Sequence, residues 1–224
     1  MLTVLITVSN DKLLVIAIIY VITMESYHPA RKIHNRNGVS KIVGLFSSQK
    51  MSMQIPWESQ LERDFCHLLE FDKKIKIFFS QPKTFLFNYD GNKIQYTPDF
   101  YVQYFDGFHE YIEIKFVESL MKPKTVSKLN LLIKYFKVND INFRIISDDE
   151  VRLQPRLNNI KFLSKYARLK FKEKFNFSFE TTLFHLKQLV DSEYIYAAMY
   201  DNFIEFDINQ ELNDRIILTL KLEI

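Results

Sequence analysis

At 224 residues the chain is long enough for one ordinary domain and a second, smaller one. With 47% hydrophobic and 25% charged residues, the composition excludes a largely disordered protein and favours a globular one with a real core. The net charge of +3 is only mildly basic, and the single cysteine, Cys66, excludes an intramolecular disulfide, which fits the reducing cytoplasm.

An apolar run, Leu13 to Thr23, precedes the first polar and basic stretch. It is about half as long as the ~20 residues that span a bilayer, so no membrane association is expected. Its flanks lack the positive segment and the cleavage site of a signal peptide. We interpret residues 1–23 as an upstream extension of the reading frame, with Met24 as the natural start; the alternative is a buried β-strand.

Residues 24–150 are predicted to form an α/β domain, a mixed sheet flanked by helices. Gly44 to Ser48 are interpreted as a turn beside short basic strands or an arm. A helix is predicted from Pro56 to Asp72, because apolar residues recur at helical spacing and proline suits a helix start. A second helix, 126–137, and an apolar strand, 143–147, are predicted at the end of the domain. Between the helices, apolar and polar residues alternate as in strands at 75–79, 84–88, 93–96, 99–103 and 110–116.

Residues 151–224 differ in character and are predicted to form a small second domain. Helical patterns occur near 160–170, 179–190 and 193–200, and two alternating stretches, 203–208 and 215–222, follow them. Three helices followed by a β-hairpin are typical of a winged-helix-like domain.

The candidate chemistry is carried by Asp99, Glu113 and Lys115. Hydrolysis of a phosphodiester with magnesium needs carboxylates to hold the ion and a cation near the reacting groups. Glu113 and Lys115 are two residues apart on a predicted strand, so they share one face, while Ile112, Ile114 and Phe116 are expected to pack behind them. The predicted turn at Asp106-Gly107 brings the strand that begins at Asp99 back beside Glu113.

The helix before this site offers a further acid, Glu58 or Glu62. Helical periodicity places Glu58 within the apolar stripe and Glu62 at its edge. A carboxylate turned towards a core needs a partner, which a metal or a lysine would provide, although Glu58 could instead serve the helix N-terminus. The periodicity alone leaves both alternatives open.

Two stretches of the chain are strongly basic. Residues 25–56 hold five Lys or Arg and one acid, a net charge of +4, and residues 152–174 hold eight and one acid, a net charge of +7. Basic stretches bind DNA by releasing condensed counterions, although solvated helix faces are the alternative. The predicted DNA-binding residues are Arg152, Arg156, Lys161, Lys165, Arg168, Lys170, Lys172 and Lys174.

Several short motifs stand in one order along the chain. They are Glu58-Ser59-Gln60-Leu61-Glu62, Leu69-Glu70-Phe71-Asp72, Gln81-Pro82, Tyr96-Thr97-Pro98-Asp99-Phe100, Glu113-Ile114-Lys115 and the strand end Phe143 to Asp148. In this combination, over about residues 40–150, the chain resembles the N-terminal catalytic domain of the TnsA endonucleases, which are of the PD-(D/E)xK type. TnsA proteins are subunits of heteromeric cut-and-paste transposases.

The resemblance implies a restriction-endonuclease-like fold for residues 24–150 and a winged-helix-like domain for DNA and partner contact at 151–224. It implies that Glu62, Asp99 and Glu113 bind Mg²⁺, for which Mn²⁺ would substitute, and that Lys115 is the catalytic lysine. The implied substrate is double-stranded DNA at the transposon ends, cut at the 5′ strand ends. The implied partners are a DDE-type transposase and an AAA+ regulator ATPase, and the expected location is the cytoplasm, at the nucleoid.

Two other functions remain open at this point. The chain could be a stand-alone repair or restriction nuclease of the same fold. It could also be a catalytically silent module that binds DNA or protein within an assembly, although intact Glu113 and Lys115 argue against silence.

Overall fold

The computed structural model of the chain describes residues 29–30, 42–169 and 179–220. Up to residue 147, the described residues form eight strands and three helices, as expected for a mixed α/β domain. In chain order they are β1 (Gly44–Ser48), β2 (Met53–Trp57), α1 (Gln60–Phe71), β3 (Ile75–Ser80), β4 (Phe85–Tyr89), β5 (Asn92–Tyr96), β6 (Phe100–Tyr104), β7 (His109–Lys115), α2 (Val117–Leu120), α3 (Pro123–Val138) and β8 (Phe143–Ser147).

A four-stranded sheet with the order β3-β6-β7-β8 forms the centre of this domain. Strand β6 pairs antiparallel with both β3 and β7, whereas β7 and β8 run parallel. Strands β4 and β5 form a separate two-stranded hairpin. All five strands predicted between residues 75 and 116 are confirmed within one residue at each end, and the strand at 143–147 is confirmed as predicted.

Each face of the central sheet covers a different hydrophobic core. Helix α1 contributes Leu61 and Phe65 to a core that also buries Ile112 and Ile114 of β7. Tyr111 of the same strand points to the opposite face and belongs to the other core, which centres on the fully buried Phe136 of α3. Because successive side chains of a strand point to opposite faces, Glu113 and Lys115 lie on the α3 side of β7. The predicted apolar backing by Ile112 and Ile114 is confirmed.

Two sequence interpretations near the start of this domain are wrong. Gly44 to Ser48 form strand β1, not a turn, and Pro56 lies in β2, not in a helix. The glycine allows the Trp57 ring to pack directly against the opposite strand, where a Cβ at position 44 would clash. Pro56 is tolerated because β1 and β2 form only a two-stranded sheet, whose outer backbone groups need no ladder partner.

Helix α1 begins at Gln60 because Ser59 caps it. The Ser59 hydroxyl accepts a hydrogen bond from the Glu62 backbone N–H at 3.1 Å. The Glu62 carboxylate in turn accepts from the Glu58 backbone N–H and from the Ser59 hydroxyl, each at 2.9 Å. Ser-x-x-Glu is therefore a capping box, and Glu58 precedes the helix instead of lying in its first turn.

The C-terminal part contains short helices and a small antiparallel sheet. Its elements are α4 (Asp148–Val151), α5 (Arg156–Leu163), a 3₁₀ turn (Ser164–Tyr166), β9 (Phe179–Thr182), α6 (Leu183–Leu186), α7 (Ser192–Tyr200), β10 (Ile204–Glu205) and β11 (Ile217–Leu220).

This part confirms two predictions and corrects two. The helix predicted for 193–200 is present as α7. The predicted terminal hairpin is present, because β10 pairs antiparallel with β11. The helix predicted for 179–190 is wrong at its start, where β9 instead pairs with β11 and makes a three-stranded sheet. The helix predicted for 160–170 begins earlier, at Arg156, and ends at Leu163. The winged-helix assignment stays a prediction.

Across the described residues, none of the helices combines the length and the apolar character needed to cross a bilayer.

Candidate active site

Asp99 and Glu113 meet because strands β6 and β7 pair with a register that sets Phe100 opposite Ile112. Asp99, the residue before β6, then lies beside the end of β7. Its Oδ2 accepts a hydrogen bond from the Ile114 backbone N–H at 2.7 Å. The carboxylate of Asp99 is thus fixed to the strand that carries the other two candidate residues.

Glu113 is nearly fully buried, and both of its carboxylate oxygens have partners. The Tyr96 hydroxyl donates to Oε2 at 2.7 Å, and the Lys115 ammonium forms a close ion pair with Oε1. Lys115 Nζ also lies 3.9 Å from Asp99 Oδ2 and donates to the Ile114 carbonyl at 3.1 Å. The lysine therefore bridges the two acids.

Burial and mutual charge shift the protonation of this group of residues. Burial, followed by the charge of Glu113, raises the pKa of Asp99 well above its usual range. Burial alone would lower the pKa of Lys115, but the carboxylates of Asp99 and Glu113 outweigh it and raise that pKa. Burial and the neighbouring Glu113 also raise the pKa of Tyr96, so its hydroxyl stays protonated and donates. Two buried carboxylates that repel each other favour an added cation between them.

These residues line an open cleft of about 620 Å³ between the N-terminal end of α1 and the ends of β5 and β7. Glu58 and Glu62 line it as well, and both are largely buried. The charge of Glu62 contributes to the raised pKa of Asp99, although it ranks after the nearer groups. Four carboxylates and two ammonium groups, those of Lys115 and Lys128, line the cleft, a net charge of −2.

The structure brings three of the four predicted catalytic residues into contact. Asp99, Glu113 and Lys115 form one cluster, while Glu62 lines the same cleft but uses its carboxylate in the capping box. Within residues 29–30, 42–169 and 179–220, no three Asp, Glu, His or Cys side chains converge on one point as metal ligands. A net charge of −2 fits a divalent cation, and Mg²⁺ commonly binds through only one or two carboxylates.

The comparisons with known proteins concern the domain that contains this cleft. Residues 49–148 match the family model described as TnsA-like endonuclease N terminal. Over these residues, which make up less than half of the chain, the protein is similar to the TnsA-like endonucleases. No curated protein is similar enough to the chain to count as a relative. The match identifies the coarse function of the TnsA-like domain as that of a nuclease related to transposition.

Two residues of the TnsA-like cleft were missed by the sequence analysis. The Tyr96 hydroxyl donates a hydrogen bond to Glu113. The sequence feature that could have identified Tyr96 is its position directly before Thr97-Pro98-Asp99. Lys128 of α3 lies at the rim of the cleft, with its ammonium 5.5 Å from the centre of the Tyr96 ring. Nothing in the local sequence distinguishes Lys128 from the other lysines of α3. Phe116, by contrast, was expected in the apolar backing but is 43% exposed, because it follows the end of β7.

The predicted DNA-binding residues that follow the TnsA-like domain fall into different environments. Arg152 and Lys161 form ion pairs with the buried Asp64 of α1, at 2.8 and 2.5 Å, and so join the C-terminal part to the nuclease domain. Arg156 donates a hydrogen bond to the Glu150 carbonyl. Lys165 and Arg168 line a second cavity of about 350 Å³. Lys170, Lys172 and Lys174 lie outside the described residues.

Proposed function

We propose that the chain is a Mg²⁺-dependent DNA endonuclease that cuts the 5′ strand ends of a transposable element during cut-and-paste transposition. The observation that carries the proposal is the contact between Asp99, Glu113 and Lys115 in an open cleft of a TnsA-like domain. Mn²⁺ is expected to substitute for Mg²⁺. A DDE-type transposase would cut and join the 3′ ends, and an AAA+ ATPase would regulate the pair.

In this proposal Asp99 and Glu113 would hold the metal, and Glu62 would help to bind the metal or its water from the side of the cleft. A bound Mg²⁺ supplies charge stabilisation for the phosphate and makes water a better nucleophile. The chain's own residues do the rest. The Ile114 N–H and the Tyr96 hydroxyl fix the orientation of the two carboxylates, at 2.7 Å each. Lys115 presents a cation beside the carboxylates, where it stabilises charge that develops on the scissile phosphate.

The C-terminal residues 151–224 are proposed to act as a winged-helix-like unit that contacts DNA and partner proteins. Support comes from the terminal β10–β11 hairpin that follows α7. The location proposed for the protein is the cytoplasm, in association with the nucleoid.

The experiment that tests the function is cleavage of element-end DNA by the purified chain, with and without a DDE-type transposase that acts on the same ends. With both proteins and Mg²⁺, we expect nicks at the 5′ ends, and with the chain alone we expect little cutting. Equal cutting without the transposase would instead support a stand-alone repair or restriction nuclease. No cutting under any condition would support a silent assembly module.

Replacement of Mg²⁺ by Ca²⁺ in this assay is expected to permit assembly on DNA while cutting drops strongly. Ca²⁺ accepts carboxylate ligands but takes longer and less regular coordination than the octahedral geometry of Mg²⁺. Complex formation is measured by gel shift and nicking by denaturing electrophoresis. Equal nicking rates with both ions would argue against a role of the metal in the chemical step.

A further inference from the structure

The TnsA-like domain carries a second groove beside the active-site cleft, between the β4–β5 hairpin and helix α3. Its volume is about 710 Å³, and it shares Gln95 and Lys128 with the cleft. The two cavities are therefore adjacent. The groove is lined by the side chains of Tyr89, Lys93, Gln95, Lys124, Lys128 and Lys134, among others.

The charge of this groove is opposite to that of the cleft. The hairpin and α3 together hold five lysines and one acid, Asp90, a net charge of +4. Lys93, Lys124, Lys128 and Lys134 are all solvent-exposed. Among the residues that the structure describes, no carboxylate lies within 4.0 Å of any of these four ammonium groups. Their charge is thus not neutralised by a described carboxylate.

An acidic cleft by itself repels a polyanion, so a nuclease needs cationic contacts next to it that hold the flanking phosphates. Along α3, Lys124 and Lys134 are about 15 Å apart at 1.5 Å per residue, which matches about four nucleotides of one strand at 3.4 Å each. Lys128 lies between them and reaches the rim of the cleft at Tyr96. The three lysines thus border the groove on its α3 side, and Lys128 is the one that also lines the cleft.

We propose that this groove binds the phosphate backbone of the DNA beside the scissile bond and guides the strand into the cleft. The inference rests on the proposed nuclease function, but it concerns DNA contact and can fail independently. The groove sits within the nuclease domain and is distinct from the basic stretch after Arg152. Its contacts are to phosphates, so they are independent of base sequence.

The test measures DNA affinity of the full chain as a function of salt, with a chelator present so that no cleavage interferes. The groove variant carries Lys93→Gln, Lys124→Gln and Lys134→Gln and spares Lys128 at the cleft. The matched control carries Lys73→Gln, Lys74→Gln and Arg215→Gln, which change the net charge equally outside the groove. A short random-sequence duplex serves as ligand, and fluorescence anisotropy reports binding.

For the groove variant, we expect the log–log salt slope to fall by up to about 2.7, or roughly 0.9 per lost phosphate contact, with an affinity loss of more than about tenfold at 0.1 M salt. The control should keep the wild-type slope. Equal slopes for groove variant and control would overturn the proposal. A groove variant that no longer binds an acidic peptide but binds DNA like the wild type would overturn the proposal as well.

The cleavage assay distinguishes a failure of the proposed nuclease function from a failure of the groove proposal. Wild-type protein that binds DNA with the expected slope but never cuts would contradict the proposed function and leave the groove intact. Wild-type protein that cuts, combined with a groove variant that binds DNA like the control, would contradict the groove alone.

Discussion

Replacement of Asp99 or Glu113 by alanine is expected to abolish Mg²⁺-dependent 5′ cleavage. Each change removes a buried carboxylate that faces the cleft, and with it the ion that it would hold. The rate should fall by a factor on the order of 10³ or more, which corresponds to the several kcal/mol of charge stabilisation that a metal supplies. Nicking of element-end DNA in the presence of the transposase measures the loss.

A second variant, Asp99→Asn, shows whether the loss arises from unfolding. Asparagine keeps an oxygen that accepts from the Ile114 N–H but carries no charge. Because burial beside Glu113 raises the pKa of Asp99, its charged form is unfavourable in the folded protein, so Asp99→Asn should melt no lower than wild type in metal-free buffer. Glu118→Ala, at an exposed residue of α2, is the control that should cut normally. Full nicking by Asp99→Ala would refute the assignment of this site.

Glu62→Gln is expected to cause a similar collapse of cleavage, whereas Glu58→Gln should retain most of it. Periodicity placed Glu58 nearer the core, but the family motif selects Glu62. The charge of Glu62 also raises the pKa of both Asp99 and Lys115. Glutamine can replace only one of the two capping oxygens, so Glu62→Gln should also lose about 1 kcal/mol of stability. Glu58→Gln should lose roughly 0.3–1 kcal/mol, from the lost charge near the helix N-terminus.

Ser59→Ala separates the capping role of Glu62 from its role in cleavage. It weakens the helix cap by about 0.5–2 kcal/mol and removes one hydrogen bond to the Glu62 carboxylate, but it keeps the charge of Glu62 and the hydrogen bond from the Glu58 N–H. Nicking rates and thermal melting are measured for the three variants. If Ser59→Ala loses cleavage as fully as Glu62→Gln, Glu62 acts through the helix cap. If Glu58→Gln is inactive and Glu62→Gln active, the motif assignment is wrong and Glu58, not Glu62, is the acid that serves the site.

Local sequence patterns predicted the nuclease domain well where each element has its own signal. Alternation and the Asp-Gly turns located the central strands, and the two-residue spacing of Glu113 and Lys115 placed both on one face of β7. Gly44 was misread because the same residue marks a turn and a close approach of Trp57. The helix start was misread at Pro56 although Ser59-x-x-Glu62 was the stronger signal.

Contacts between residues far apart in the chain could not be predicted from charge counts. Arg152 and Lys161 were counted as DNA-binding residues, but they pair with Asp64, which lies 88 and 97 residues away in sequence. The lysines of the groove were overlooked because they do not form a basic stretch in the sequence. They are spread over a hairpin and a helix, and only the fold brings them to one groove.

The most direct test of the account is whether a divalent ion binds through Asp99 and Glu113. Binding of Mn²⁺ to the full chain can be followed by the loss of the electron paramagnetic resonance signal of the free ion, with competition by Mg²⁺. We expect wild type and an Asp106→Ala, Glu118→Ala control to bind alike. The Asp99→Ala, Glu113→Ala variant should bind at least about tenfold more weakly, because it loses both carboxylate ligands. Wild-type affinity for Mn²⁺ in that variant would contradict the account.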